Sequence, residues 1–215
     1  MYARFIKRFL DFTLSLCALI VLSPLFVILI ILGAIFMRGN PFFFQERPGK
    51  DEKIFKLIKF RSMDNRKDRN GNLLPDEIRL NKYGRFLRST SLDELPELIN
   101  ILVGQLSIIG PRPLLVSYLP YYTEEEHHRH DVTPGLTGLS QVSGRNYVTW
   151  EDKFAMDLEY VNNISFVMDV SILLKTVAVV FKRENIETAS SIVHDGVLYR
   201  PLDVERSEKK KGDQN

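Results

Sequence analysis

One cysteine in 215 residues, Cys17 inside an apolar run, excludes a disulfide framework and a cysteine-rich metal site within one chain. That usage fits a reducing, cytosolic setting. A dominant charge is lacking too: 29 Lys and Arg face 27 Asp and Glu, so the net charge of +2 gives no global ground for nucleic-acid binding. Any anion site must be local. There is no G-x-x-x-x-G-K-[ST] loop and no G-x-G-x-x-G after a strand, so the usual marks of NTPase and dinucleotide folds are missing. Histidine is scarce as well. His127, His128 and His130 crowd the stretch TEEEHHRH, but without H-x-x-x-H or H-E-x-x-H spacing they suit a solvated helix end better than a zinc site. The tail VERSEKKKGDQN has too few apolar residues to pack, and disorder is expected there.

What the chain does have, at its start, is a long run without charge. From Phe12 to Met37 it reads FTLSLCALIVLSPLFVILIILGAIFM, preceded by Arg4, Lys7 and Arg8. No small-x-small cleavage site ends the run, so the segment is expected to stay on the protein. A straight helix of that length would extend roughly 39 Å against a hydrocarbon core of about 30 Å, which leaves a tilted span open. Ser23-Pro24 near the middle argues for a break, since proline removes a backbone donor while Ser23 can satisfy a freed carbonyl. Each half then covers half a bilayer. Basic residues flank both ends, with Arg38 after the run, and the positive-inside preference is best met with both ends cytoplasmic. That describes a re-entrant hairpin seated in membrane lipids.

Beyond Asn40-Pro41, PFFFQERPGKDEKIFKLIKFRSM reads as a β-hairpin turning at Arg47-Pro48-Gly49-Lys50. Residues 64–81 are polar and turn-rich and read as an exposed loop. Helical patterns follow at 79–88, 93–103 and 114–130, the last after the Gly110-Pro111-Arg112-Pro113 link. TPGLTGLSQVS, residues 133–143, reads as a looped or short extended connection; 150–162 and 166–181 read as helices, the second strongly apolar. The expected fold is α-rich (α+β): a helix-break-helix at 1–38, a small cytoplasmic globular domain at 39–185 with a short β-hairpin and membrane-surface helices, and an extension at 186–215.

The chemistry centres on SLDELPELIN, where Asp93 and Glu94 precede Pro96. Ser91 with Glu94 forms the S-x-x-E capping pattern, or Asp93 caps and Pro96 sits in the first turn. Either placement puts both acids at a helix start, where the dipole favours the ionised form that a nucleophile or a magnesium ligand needs. Neighbouring helical side chains diverge, so the two acids require separate roles. Around them lie Lys59 and Arg61 in KFRSM, Arg85 and Arg88 in GRFLRSTS, Arg112 in GPRP and Arg145 in GRN. Arginine forks suit phosphate oxygens, and several beside an acid pair point to a magnesium-bound phosphate compound.

Together, K-R-x-x-D at Lys7, Arg8 and Asp11 beside the Ser-Pro segment, QERPG, KIFKLIKFRSM, RSTSLDELPELINILVGQLSIIGPRPLL, HRHDVTPGLTGLSQVSGRN and FVMDV resemble the bacterial sugar transferases called monotopic phosphoglycosyl transferases. The resemblance covers residues 4–183. YLPYY and PGLTGLSQVSGRN look most similar to the small single-domain members that transfer diacetylbacillosamine phosphate. What the resemblance implies is transfer of a sugar phosphate from a UDP-sugar to undecaprenyl phosphate, releasing UMP, with Mg2+ as cofactor, at the cytoplasmic face of the bacterial inner membrane. In that reading Asp93 is the nucleophile, Glu94 helps hold magnesium, and Arg88, Arg112 and Arg145, then Lys59 and Arg61, contact phosphate or nucleotide. It also favours the re-entrant hairpin over the span, with Ser23 and Pro24 at the break. Where the family often reads ITGWAQVNGRN, this chain has LTGLSQVSGRN; Leu139, Ser140 and Ser143 leave open diacetylbacillosamine, another N-acetylated hexosamine or a plain hexose. Two further functions remain open: a magnesium-dependent nucleotide-sugar hydrolase, and a non-catalytic membrane-anchored adaptor.

Overall fold

A computed structural model describes residues 1–143, 149–182, 193–194 and 197–198. The apolar run folds as two helices, α1 (Lys7–Val21, continuing a π-helical turn at Tyr2–Ile6) and α2 (Ser23–Phe36), bent by 66° at Leu22. No single helix among the described residues is long and apolar enough to cross a membrane; this bent pair passes that test only jointly. Sequence explains the bend. Pro24 lies in the first turn of α2, where its missing N–H costs nothing, and the Ser23 hydroxyl donates to the Ile20 carbonyl at 2.8 Å.

The first helix is amphipathic in an inverted sense. Lys7, Asp11 and Ser15, four apart and so on one face, are buried against the globular part, while Phe5, Phe9, Phe12 and Ile20 are exposed. Lys7 pairs with Asp169 at 2.8 Å. Arg8 donates at 2.7 Å to the carbonyls of Ile101 and Leu102, and Asp11 accepts from the Ser107 hydroxyl and the Ile108 amide. Lys7 and Arg8, read as topology signals in the sequence, are thus also packing groups.

After α2 the chain forms the antiparallel hairpin β1 (Phe42–Pro48) and β2 (Ile54–Phe60), with register from Phe42 opposite Phe60 to Pro48 opposite Ile54. The turn lies at 50–52 rather than at Arg47–Lys50, because β1 continues through Pro48 and Gly49 donates to the Lys53 carbonyl. The polar stretch 64–81 is mainly irregular but carries a short helix α3 (Asp76–Arg79), and Asp64 within it is buried, bonded by Arg66 and approached by Arg79. Helix α4 (Lys82–Ser89) starts on Asn81, whose side chain accepts from the Gly84 amide. A Cβ at Gly84 would lie 1.8 Å from the Ser62 carbonyl, so only glycine lets α4 pack this close to the 61–64 segment.

Leu92–Glu94 form a 3-10 turn, and α5 (Glu97–Val103) follows. The connection after α5 pairs β3 (Ser107–Ile109) in parallel with β4 (Gly135–Thr137), a small second sheet that the sequence reading anticipates only as a short extended connection. The single helix expected at 114–130 is instead a 3-10 segment at 116–121, α6 (Glu124–His127) and a 3-10 turn at 128–130. Pro120 and the capping box of Thr123 with Glu126 break it up. Next come α7 (Leu139–Ser143), α8 (Trp150–Asn162) and α9 (Phe166–Lys182). A two-residue ladder of β5 (Val193–His194) with β6 (Val197–Leu198) completes a mostly helical fold. Helix α9 buries Asp169 and Ile172 but exposes Phe166, Val167, Leu174 and Val180, a second outward apolar face. The tail expected to be disordered lies outside the described residues.

Candidate active site

Helix α5 and strand β2 are fixed to each other by one side chain. Asn100, 1 % exposed, accepts from the Ile58 amide at 3.0 Å and donates to the Lys56 carbonyl at 2.8 Å, pairing with the strand as another strand would. This sets Lys59 of β2 beside the start of α5. The acids themselves are not a helix cap. Pro96 is the residue before α5, neither Asp93 nor Ser91 makes a capping bond, and Ser91 holds a left-handed backbone (φ 54°) that turns the chain into the 92–94 turn. The capping reading is therefore corrected: the backbone fold-back, not a cap bond, places these acids.

Glu94 is clamped. Its Oε1 lies 2.7 Å from Lys59 Nζ and 2.6 Å from Arg112 Nη2. Burial opposes its charge, but Arg112 and Lys59 outweigh that and hold its carboxyl well below the usual range. Asp93 differs. Its carboxylate makes no ion pair among the described residues, and burial, then the charge of Glu94, pushes it up to about 6 against the pull of Lys59 and Arg88. Adjacent residues thus reach opposite states: one neutralised by cations, one carrying a costly charge. Lys59, a hydrogen bond from its own backbone amide and Arg88, in that order, oppose the rise.

Of the basic residues singled out in the sequence, Lys59, Arg88 and Arg112 converge on the acids. Arg88 Nε donates to the Ser62 hydroxyl at 2.9 Å, and its charge is felt at Asp93. The Arg61 guanidinium donates to the Phe42 carbonyl at 3.3 Å. Arg85 donates to the Leu80 carbonyl. Arg145 lies outside the described residues. Three contributors escaped the sequence reading. Glu97, 2 % exposed, sits 3.2 Å from Lys59 and is pushed up to about 7, by burial first, with Glu94 adding to it. Arg47, in QERPG, is drawn down to about 10 by burial and by Arg112; its buried Nε has no hydrogen-bond partner among the described residues. Arg129, in HRHDV, donates to the Arg112 carbonyl at 2.8 Å and to Asp157 at 2.6 Å, and so braces the GPRP segment. Its signal was its place in a long motif.

The result is a cluster in which the charges of Arg47, Lys59, Arg88 and Arg112 act on Asp93, Glu94 and Glu97. Such a set favours phosphate oxygens and stabilises charge developing on a phosphorus centre. Magnesium takes few protein carboxylates and shares itself with substrate phosphates, so the ionised Glu94 fits one such ligand. No group of three or more His, Cys, Asp or Glu positioned for a metal occurs among the described residues. His127 contacts Glu52, and burial draws His130 down to about 4.

Residues 2–183 match the bacterial sugar transferase family. The chain is similar to the uncharacterized sugar transferase EpsL of Bacillus subtilis, 47 % identical over 189 residues that cover 87 % of this chain and 93 % of that protein. It is also 38 % identical to the UDP-galactose-lipid carrier transferase of Erwinia amylovora over 85 % of this chain, and 38 % identical to the UDP-glucose:undecaprenyl-phosphate glucose-1-phosphate transferase of Klebsiella pneumoniae over 80 % of it. These two are longer; the match spans 42 % and 39 % of their lengths. With that match over most of its length, the chain belongs to the bacterial sugar transferase family.

Proposed function

We propose that this chain transfers a sugar phosphate from a UDP-sugar to undecaprenyl phosphate, releasing UMP and forming undecaprenyl-diphosphate-sugar through a covalent intermediate on Asp93. It is an enzyme of the phosphoglycosyl transferase class, as its family and relatives named for such transfers support. The observation that carries the finer reading is the contrast between the two acids. Glu94 is neutralised by Lys59 and Arg112, whereas Asp93 carries a carboxylate without an ion pair among the described residues.

In the first step an oxygen of Asp93 attacks the sugar-bearing phosphorus, the bond to the uridylyl phosphate breaks, and its electron pair leaves with UMP. In the second, an oxygen of undecaprenyl phosphate attacks the same phosphorus, and the Asp93 carboxylate is restored. Arg88 and Arg112 bind and orient the diphosphate, Lys59 fixes Glu94, and Arg145 is a further nucleotide contact. Magnesium, held by Glu94, would supply neutralisation of diphosphate charge.

The bent pair α1–α2 enters and leaves the same leaflet as a re-entrant hairpin at the cytoplasmic face of the inner membrane. The exposed apolar faces of α1, α2 and α9 support that seat. The expected division into a membrane element at 1–38, a catalytic domain at 39–185 and a C-terminal extension accompanies this reading. The sugar is an N-acetylated hexosamine of the diacetylbacillosamine kind, although relatives are named for galactose and glucose.

Purified protein incubated with a panel of UDP-sugars, magnesium and undecaprenyl phosphate tests this. Lipid-dependent UMP release is expected, with one N-acetylated sugar preferred. Lipid-independent turnover would instead indicate the hydrolase, and no turnover across the panel the adaptor. Asp93→Asn is expected to abolish a trapped phosphosugar-protein adduct; an adduct on that variant removes Asp93 as nucleophile.

A further inference from the structure

Away from the acid pair, where α2 ends, the chain builds a second concavity. A cleft of about 680 Å³ lies between the end of α2 and helix α4; Ile35, Phe36 and Phe86 give it an apolar rim, and Arg38 and Lys82 a basic mouth. The rim is open: Ile35, Phe36 and Phe86 are 62 %, 49 % and 50 % exposed. Its floor is built. Phe36 stacks on Tyr83 at 5.3 Å, the Tyr83 hydroxyl donates to the Leu29 carbonyl, and the Asn81 amide donates to the Phe36 carbonyl.

The charges at this cleft do not cancel. Arg66 is paired with Asp64 at 2.8 Å, so those two lining residues are neutral together. Arg38 and Lys82 have no ion pair and no side-chain hydrogen bond among the described residues, which leaves two positive charges at the mouth. Arg38 moreover holds a left-handed backbone (φ 53°), which disfavours any side chain, at the point where the chain leaves the apolar helix. Apolar rim and basic mouth adjoin the exposed face of α2 formed by Ile28, Ile31 and Ile35. A ligand of matching pattern has a negative head and greasy chains.

We propose that this cleft binds the head group of an anionic phospholipid, its phosphodiester between Arg38 and Lys82 and its acyl chains along Ile35, Phe36 and Phe86. The inference rests on the membrane seat of α1–α2 and goes beyond the transfer reaction. Undecaprenyl phosphate is a different occupant, because the acceptor phosphate has to meet Asp93 and none of Asp93, Glu94, Lys59, Arg88 or Arg112 lines this cleft. Bound here, a bilayer lipid clamps the exit of the hairpin to α4, the helix that carries Arg88.

The test uses the full chain in micelles of uncharged detergent, titrated with short-chain phosphatidylglycerol or phosphatidylcholine and followed by calorimetry. Each cation near a lipid surface contributes about fivefold in affinity, so phosphatidylglycerol is expected to bind about thirtyfold tighter. Arg38→Gln with Lys82→Gln erases that preference, and each single substitution loses about fivefold. Lys50→Gln with Lys53→Gln, exposed at the hairpin turn, retains it. Equal binding of the two lipids by the unsubstituted protein, an unchanged preference in the Arg38/Lys82 pair, or the same loss in the Lys50/Lys53 pair overturns the proposal. So does displacement of phosphatidylglycerol by equimolar inorganic phosphate, which would make this a free-phosphate site, or by a short polyprenyl phosphate at lower concentration, which would make it the acceptor site. Failure of the hairpin itself reads out separately, as termini on opposite faces in cysteine-accessibility mapping.

Discussion

Asp169→Asn is expected to loosen the seat of α1 on the globular part. Asp169 Oδ2 accepts from the Tyr2 hydroxyl at 2.6 Å and from Lys7 Nζ at 2.8 Å, while Oδ1 accepts from the Tyr160 hydroxyl at 2.8 Å. The side chains of Lys7 and Asp169 are only 11 % and 7 % exposed. An amide keeps the volume and can still accept from a tyrosine, but it leaves Lys7 charged and buried without its anion. Breaking a buried pair from one side costs about 3–5 kcal/mol, and the surviving bonds place this case near about 3 kcal/mol. For a chain of this size that corresponds to a fall of about 6–12 °C in Tm. Thermal unfolding in detergent, followed by near-ultraviolet circular dichroism, measures it. Lys7→Met in the same chain removes the stranded charge, so the double variant is expected to recover about 2 kcal/mol relative to the sum of the two single variants. A loss below about 1 kcal/mol for Asp169→Asn, or additivity in the double variant, would refute the idea that this ion pair anchors α1.

In its proposed role as nucleophile Asp93 must be ionised, and burial holds it at about 6, so kcat/KM for UMP release is expected to fall below that pH, and Lys59→Met, which removes a charge that lowers Asp93, moves the limb upward; a limb unmoved in that variant contradicts the assignment. The same raised value means that stability from Asp93 is fully present below its ordinary carboxylate range and lost as pH rises through about 6. Asp93→Asn is accordingly expected to be inactive yet more stable by up to about 3 kcal/mol at pH 8, with the gain shrinking toward pH 4, as chemical denaturation at the two pH values checks. Asn100→Leu strands the buried Ile58 amide and Lys56 carbonyl, for a loss of about 3 kcal/mol by the same unfolding assay and a larger relative loss of UMP release. Ser23→Ala with Pro24→Ala removes the signals for the 66° bend, and cysteine-accessibility mapping is expected to find a fraction of chains with termini on opposite faces.

Much of this architecture was legible because it rests on local rules. The Ser23-Pro24 break, the hairpin strands and helices α8 and α9 follow from proline geometry, alternation and apolar periodicity. What was missed depends on contacts far apart in sequence. Nothing local to TEEEHHRH says that Arg129 reaches Asp157 and the Arg112 carbonyl, and nothing local to SIIG says that β3 pairs in parallel with β4. Nothing local to LPELIN says that Glu97 meets Lys59 of β2. The long helix expected at 114–130 failed for a readable reason, since Pro120 and the Thr123–Glu126 capping box are both visible in the sequence.

The reactive role proposed for the acid pair would share its sequence signature with an ordinary helix start. A capping Asp93 would share its charge with the amide of a later residue in the helix and have its carboxyl held low, which quiets a nucleophile. Ser91 instead takes a left-handed turn, the capping bonds are not made, and Asp93 stays without an ion pair in a half-buried place. Its charge is tolerated because Lys59 and Arg88 lie near, yet neither is spent on it: Lys59 pairs with Glu94 and Glu97, and Arg88 donates to Ser62. An incoming diphosphate can recruit those cations from their present partners. In the proposed mechanism substrate phosphate then shares the charges of Lys59 and Arg88 that offset burial and Glu94 at Asp93, so its carboxylate is expected to become more basic as phosphorus comes within reach.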